Sequence, residues 1–236
     1  APNAGKSTLL NRIIGEKIAI TSKKPQTTRN RILGILNRPS SQMIFVDTPG
    51  VHKTEKVFNS RIVDAAIAAM GDADCIILVV DASQPDYESE GYTAEKLKGF
   101  RKPVILALNK TDIAHKPRIL EMIERWKEKH NFSAIIPVSA EKGDQVGVLL
   151  DAMEGMLPDG PALFPEDQLT DLPEKFLCAE IIREKIFRLT GAEIPYATAV
   201  TIDLFSEEPK IVHIEAAIHV ERDSQILHGD EGHHEA

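Results

Sequence analysis

Asn3-Ala4-Gly5-Lys6-Ser7-Thr8 carries the second half of the pattern G-x-x-x-x-G-K-[ST]. Leading into a helix, such a stretch stacks backbone N–H groups at the positive end of the helix dipole and so cradles an anion. Gly5 lets the backbone approach a phosphate closely, Lys6 reaches β- and γ-phosphate oxygens, and the Ser7 hydroxyl suits Mg²⁺. The first glycine of the pattern, and the strand that feeds it, would precede Ala1. The expectation is therefore a fragment whose sheet lacks its first strand and has two exposed strand edges. An isolated A-G-K-S also begins ordinary helices, so the neighbouring motifs must decide.

Outward from this loop, short apolar runs alternate with helical patterns. Strands are expected at 31–37, 42–47, 75–81, 103–109 and 134–138, and helices at 6–14, 56–70, 93–100, 117–129 and 145–156. The runs CIILVV, VILAL and AIIPV are continuous, as in strands buried on both faces. This alternation reads as a mostly parallel α/β sheet.

Three further motifs close strands of that sheet. Asp47-Thr48-Pro49-Gly50 follows QMIFV, and a carboxylate at the C-terminal end of a strand lies where open α/β sheets bind ligands. Asp47 can hold Mg²⁺ through water, and the Gly50 N–H can sense a γ-phosphate. T-P-G is also plain turn chemistry. Asn109-Lys110-Thr111-Asp112 follows VILAL, and the Asp112 carboxylate can accept two hydrogen bonds from the N1–H and amino group of guanine. Adenine has no such donor pair, which disfavours ATP. Ser139-Ala140-Glu141-Lys142-Gly143 follows AIIPV, where a backbone N–H can meet guanine O6. Each motif alone could be a turn, but four in this order, each at a strand end or helix head, would rarely be coincidence.

Together they resemble the guanine-nucleotide domain of the P-loop GTPases. The implied fold is an α/β P-loop NTPase domain of the Ras-like type. The resemblance makes Lys6, Thr28 and Gly50 the catalytic set and Ser7, Thr28 and Asp47 the metal set. Nucleotide contacts fall on Asn3, Ala4, Gly5, Lys6, Ser7, Thr8, Thr27, Thr28, Asp47, Thr48, Pro49, Gly50, Asn109, Lys110, Asp112, Ser139 and Ala140. Either Thr27 or Thr28, in the first switch segment, completes the Mg²⁺ shell, with Thr28 preferred. Ras-like enzymes orient the attacking water with a Gln after D-x-x-G, but Val51 stands there and cannot donate a hydrogen bond. Slow intrinsic hydrolysis is expected. In some relatives an Asn matching Asn3 helps to bind K⁺ in place of an arginine finger.

PQTTRNRILGI (residues 25–35) resembles the first switch of the Era and Era-like bacterial GTPases. LTDLPEKFLCAEIIREK (169–185), EIPY (193–196) and HVERDSQ (219–225) are similar to the junction and KH domain of Era. The resemblance runs from 1 to 225. It implies a GTPase domain at 1–160, a proline-rich linker at 161–172 and an incomplete α+β KH domain at 173–236. It also implies GTP/GDP turnover in small ribosomal subunit (30S) assembly and binding of the 3′ end of the small-subunit rRNA. Its further implications are a cytoplasmic monomer and peripheral association with the inner membrane. The alternatives are a GTP-dependent binding module with negligible turnover, and a related GTPase of tRNA modification or large-subunit assembly.

Composition limits the rest. Residues 1–170 hold 22 Lys+Arg against 22 Asp+Glu, whereas 171–236 hold 6 against 14, so the whole net charge of −8 lies in the C-terminal quarter. That balance repels phosphate backbones. A KH domain grips RNA with a GXXG loop, but Gly229-Asp230-Glu231-Gly232 is acidic at its centre. Weak RNA binding by this chain is expected. On the helix 174–189, Arg183, Lys185 and Arg188 could touch RNA or form a solvated edge. His213, His219, His228, His233 and His234 read as a solvated tail rather than a metal site. The apolar run at 75–80 falls far short of the roughly 20 residues that span a bilayer. Cys75 and Cys178 read as reduced, buried thiols.

Overall fold

A computed structural model describes residues 3–21, 31–48, 68, 70–189 and 198–221. The chain divides into two units, Ala1–Asp171 and Leu172–Ala236. In the first unit the order is α1 (Lys6–Ile14), β1 (Ile32–Arg38), β2 (Ser41–Asp47), β3 (Ile76–Asp81), α2 (Tyr87–Leu97), β4 (Val104–Asn109), α3 (Lys116–Lys129), β5 (Ala134–Pro137) and α4 (Val146–Glu154). Of the helix expected at 56–70, residues 56–67 and 69 lie outside the described residues.

β3, β4 and β5 form a parallel sheet with β4 in the middle. Ile76 lies opposite Val104 and Asp81 opposite Asn109, so both strands end level. All six residues of β4 are buried, which is why VILAL shows no polar alternation. Ile76, Leu78, Val80, Val104, Leu106 and Leu108 pack with Leu97 of α2 and with Met122 and Trp126 of α3. Trp126 is fully buried, and truncating such a side chain costs about 3–5 kcal/mol.

β1 and β2 form a separate antiparallel hairpin, with Ile32 opposite Asp47 and Ile35 opposite Ile44. Residues 163–170 run beside it. Gln42 Oε1 accepts from the N–H groups of Leu163 (2.8 Å) and Phe164 (2.9 Å), and Gln42 Nε2 donates to the Phe164 carbonyl (2.8 Å). Ile35 N–H donates to the Leu169 carbonyl at 2.8 Å, and Thr170 Oγ1 donates to the Leu33 carbonyl at 2.6 Å.

α2 begins six residues earlier than its apolar repeat announces. Its first turn is polar, so periodicity cannot reveal it, and the start is set by the Asp86 carboxylate accepting from Ser89 N–H at 3.1 Å. That turn also buries Glu90, which is 1% exposed, with neither carboxylate oxygen hydrogen-bonded among the described residues. Burial pushes its pKa up, opposed by the charges of Arg125 and Lys129 on α3. An acid with a raised folded-state pKa binds more protons folded than unfolded, so stability falls as pH rises through that window. Glu90→Gln is expected to stabilise the fold by about 1 kcal/mol at pH 7.5, with no gain below the ordinary glutamate pKa. Thermal melts at both pH values check this. Destabilisation by Gln at pH 7.5 would mean that Arg125 and Lys129 more than offset the desolvation.

The second unit contains α5 (Glu174–Leu189), β6 (Thr198–Glu208) and β7 (Ile211–Val220). β6 and β7 pair antiparallel through a two-residue turn at Pro209-Lys210. α5 corrects the reading of a shared basic edge. Arg183 is buried, lies over the Phe187 ring and makes two 2.7 Å bonds to Glu180. Arg188 pairs with buried Glu184 at 2.6 Å but stays exposed, as does Lys185, so only Arg183 leaves the solvated edge. Charge alone suggested solvent, but carboxylates along the same helix give both arginines partners there. Cys75 and Cys178 are free thiols of intermediate exposure, less buried than their apolar surroundings implied.

Candidate guanine-nucleotide site

The phosphate loop turns into α1 at Gly5, whose φ of 89° is left-handed. Asn3 just before it also has a positive φ, 54°. Two left-handed positions so close curl the chain into a concavity of N–H groups, which suits an anion. A methyl group at Gly5 would lie 2.3 Å from Asn109 Nδ2, so the residue is fixed by space as well as by φ. Burial lowers the Lys6 pKa, and the nearby charge of Asp47 partly restores it. A desolvated ammonium beside a concavity of donors attracts a polyanion strongly.

Ser7 Oγ donates to Asp47 Oδ2 at 2.6 Å, bringing a hydroxyl and a buried carboxylate to one point. Such hard oxygen ligands fit Mg²⁺, which takes one or two protein oxygens and keeps several waters. When bound, the ion would neutralise phosphate charge. Lys6 precedes Ser7 and Thr48 follows Asp47. Thr8 continues α1. Thr27, Thr28, Pro49, Gly50 and Val51 lie outside the described residues.

The base end is assembled by one side chain. Asn109 is 2% exposed, its Nδ2 donates to the Ala4 carbonyl at 2.8 Å, and its Oδ1 accepts from Ala140 N–H at 2.9 Å. It thus joins the phosphate loop, N-K-T-D and S-A-E-K-G. Ser139 Oγ donates to Asp112 Oδ1 at 2.7 Å, and accepts from Lys142 N–H at 3.0 Å. Asp112 is therefore aimed while remaining exposed to a ligand.

Two residues with no motif signal complete the frame. Arg12, on α1, donates through Nε to the Ala140 carbonyl at 3.0 Å and through its terminal nitrogen to that of Glu141. Asp81 ends β3 and pairs with Lys110 at 2.6 Å. An aspartate closing an apolar strand was a readable signal for Asp81, because Asp47 has the same placement. Nothing local marked Arg12, whose partners lie 128 and 129 positions away.

The family model described as 50S ribosome-binding GTPase matches residues 1–110. GTPase Era of Geobacter metallireducens is 49% identical over 98% of this chain and 79% of its own length. This chain belongs to the GTPase Era family. A second Era, from Geobacter sp. strain M21, is 50% identical over 98% of the chain and 79% of its own length. Among solved structures, a single-residue variant of Aquifex aeolicus Era bound to GDP.AlF4⁻ matches with a TM-score of 0.84 at 39% identity, covering 94% of this chain and 77% of that one. Era in complex with MgGDPNP and nucleotides 1506–1542 of 16S ribosomal RNA matches at 0.85, with the same identity and coverage. The first unit is accordingly a P-loop GTPase domain that binds guanine nucleotide and hydrolyses GTP, and α5–β6–β7 belong to the Era KH domain.

Proposed function

We propose that the chain is a GTP-driven switch in small ribosomal subunit (30S) assembly, and that its full-length form binds the 3′ end of 16S rRNA. The observation that carries this is the Asn109–Asp112–Ser139 frame of the base site, in a chain matching the Era–MgGDPNP–rRNA complex over 94% of its length. Lys6 and the loop N–H groups meet the β/γ-phosphates, Ser7, Thr28 and Asp47 serve Mg²⁺, Gly50 senses the γ-phosphate, and Asp112 reads the base. We further propose a monomer of the cytoplasm with peripheral contact to the inner membrane. No described helix is long and apolar enough to cross a membrane.

Val51 favours a second reading, a nucleotide-dependent binding module with negligible turnover. Asn3 leaves a potassium role open. Single-turnover GTP hydrolysis in K⁺ and in Na⁺ separates these readings. The expected result is slow hydrolysis accelerated about tenfold or more by K⁺, whereas no hydrolysis in either salt, with tight GTP binding, favours the module. The model description that names the large subunit covers only residues 1–110, so it does not choose between subunits. Co-sedimentation of the full-length protein with isolated 30S and 50S particles does. This chain, with acidic Asp230 and Glu231 at the centre of its G-x-x-G sequence, is expected to bind the rRNA 3′ end much more weakly than the full-length protein.

A further inference from the structure

Lys110 stands between two residues of the base site, yet its ammonium pairs elsewhere. It is left-handed, with φ 67°, a conformation unfavourable for a residue with a side chain unless the surroundings impose it. Its Nζ reaches the end of the neighbouring strand and pairs with Asp81 Oδ2 at 2.6 Å. Asp81 is itself held firmly. It is 9% exposed, and its Oδ1 accepts from Ser83 N–H (2.8 Å), Ser83 Oγ (2.6 Å) and Gln84 N–H (3.0 Å). One oxygen thus serves the turn after β3, and the other is given to the lysine. β3 and β4 end level, with Asp81 opposite Asn109, so the sheet register sets the reach of this pair.

We propose that Asp81 is a positioning residue for the guanine pocket, holding Lys110 in the conformation that places Asp112 against the base. The inference rests on guanine-nucleotide binding at this site. A free lysine has large rotamer freedom, and a ligand that ordered it would bind more weakly; anchoring it beforehand is preorganisation. Ser139 fixes Asp112 from one side, and the Asp81–Lys110 pair fixes the turn preceding it from the other. The contribution belongs to the base end and is shared by GDP and GTP.

The test is a double-mutant cycle read by fluorescent-GDP titration with Mg²⁺, with hydrolysis measured at saturating GTP. Asp81→Asn keeps an acceptor for the Ser83–Gln84 turn but presents an uncharged amide to Lys110. It is expected to weaken GDP and GTP equally, about tenfold, the scale of a charge-assisted hydrogen bond. The saturated hydrolysis rate should stay within about twofold, so the loss falls on KM and not on kcat. In a Lys110→Met background the same change should cost less than about twofold. Affinity within twofold of the parent, or an equal loss in both backgrounds, would overturn the proposal, the latter by assigning Asp81 to the turn alone. If Asp81→Asn does not fold, Lys110→Arg, which keeps a cation for Asp81, should retain about tenfold more GDP affinity than Lys110→Gln, which does not. Equal losses in those two would also overturn it. A folded parent chain that binds no GDP would instead refute the site on which the inference rests.

Discussion

Gly5→Ala is expected to abolish nucleotide binding while most of the fold persists. An alanine at φ 89° incurs the left-handed penalty of about 1–2 kcal/mol. Its methyl would also lie 2.3 Å from Asn109 Nδ2, inside any permitted contact. Asn109 would have to move, which breaks its bonds to Ala4 and Ala140 and orphans two buried backbone groups. Each orphan costs about 1–3 kcal/mol, so affinity should fall by a factor of about 10³ or more. Gly15→Ala is the matched control. Its φ is 84°, but no atom of the described residues lies within 4 Å of the added methyl. It should lower stability by about 1 kcal/mol and leave GDP affinity within about threefold. Equal loss in both variants would show that backbone strain acts alone, with no part for the close approach to Asn109.

Asp112→Asn should exchange one base for another. In the proposed role the carboxylate accepts from two guanine donors, whereas the amide offers one donor and one acceptor, which suits xanthine. Losing a charge-assisted pair from an aimed group costs about 3–4 kcal/mol, a factor of roughly 10² to 10³ in GTP affinity. Xanthosine triphosphate should gain by a comparable factor. Competition titrations with both nucleotides measure the exchange, and an unchanged guanine preference would remove Asp112 from base reading. The fold should survive, because Asp112 is exposed and its partner Ser139 Oγ can still donate to an amide oxygen.

What could be read in the sequence followed from how locally each feature is encoded. β4 was legible because burial on both faces forces a continuous apolar run, and α1 because its motif and its apolar repeat coincide. The start of α2 was not, since an aspartate cap carries less local signal than hydrophobic spacing. Arg183 looked like a surface charge because its neutralising partner, Glu180, sits one helical turn away and only packing reveals that the pair is largely shielded from solvent. At the site, the residues proposed to touch nucleotide are clustered in motifs, whereas those that hold the motifs together are scattered. Arg12 reaches 128 positions along the chain, and Asn109 reaches back 105 to Ala4. Proline content at 161–172 reads the same for a free tether and for an extended segment bonded along a hairpin, and Gln42 is what distinguishes them.

The β1–β2 hairpin and the β3–β4–β5 sheet share no ladder bond among the described residues. Residues 4–7 reach both, through Ser7 to Asp47 on one and through Ala4 to Asn109 on the other. A nucleotide bound at those residues, as proposed, would therefore act as a rivet between two plates. Its binding energy adds to cohesion by mass action, about 4 kcal/mol at a thousandfold excess over Kd. For such a molecule, the guanine-nucleotide pool of the cell is a structural component as much as a fuel.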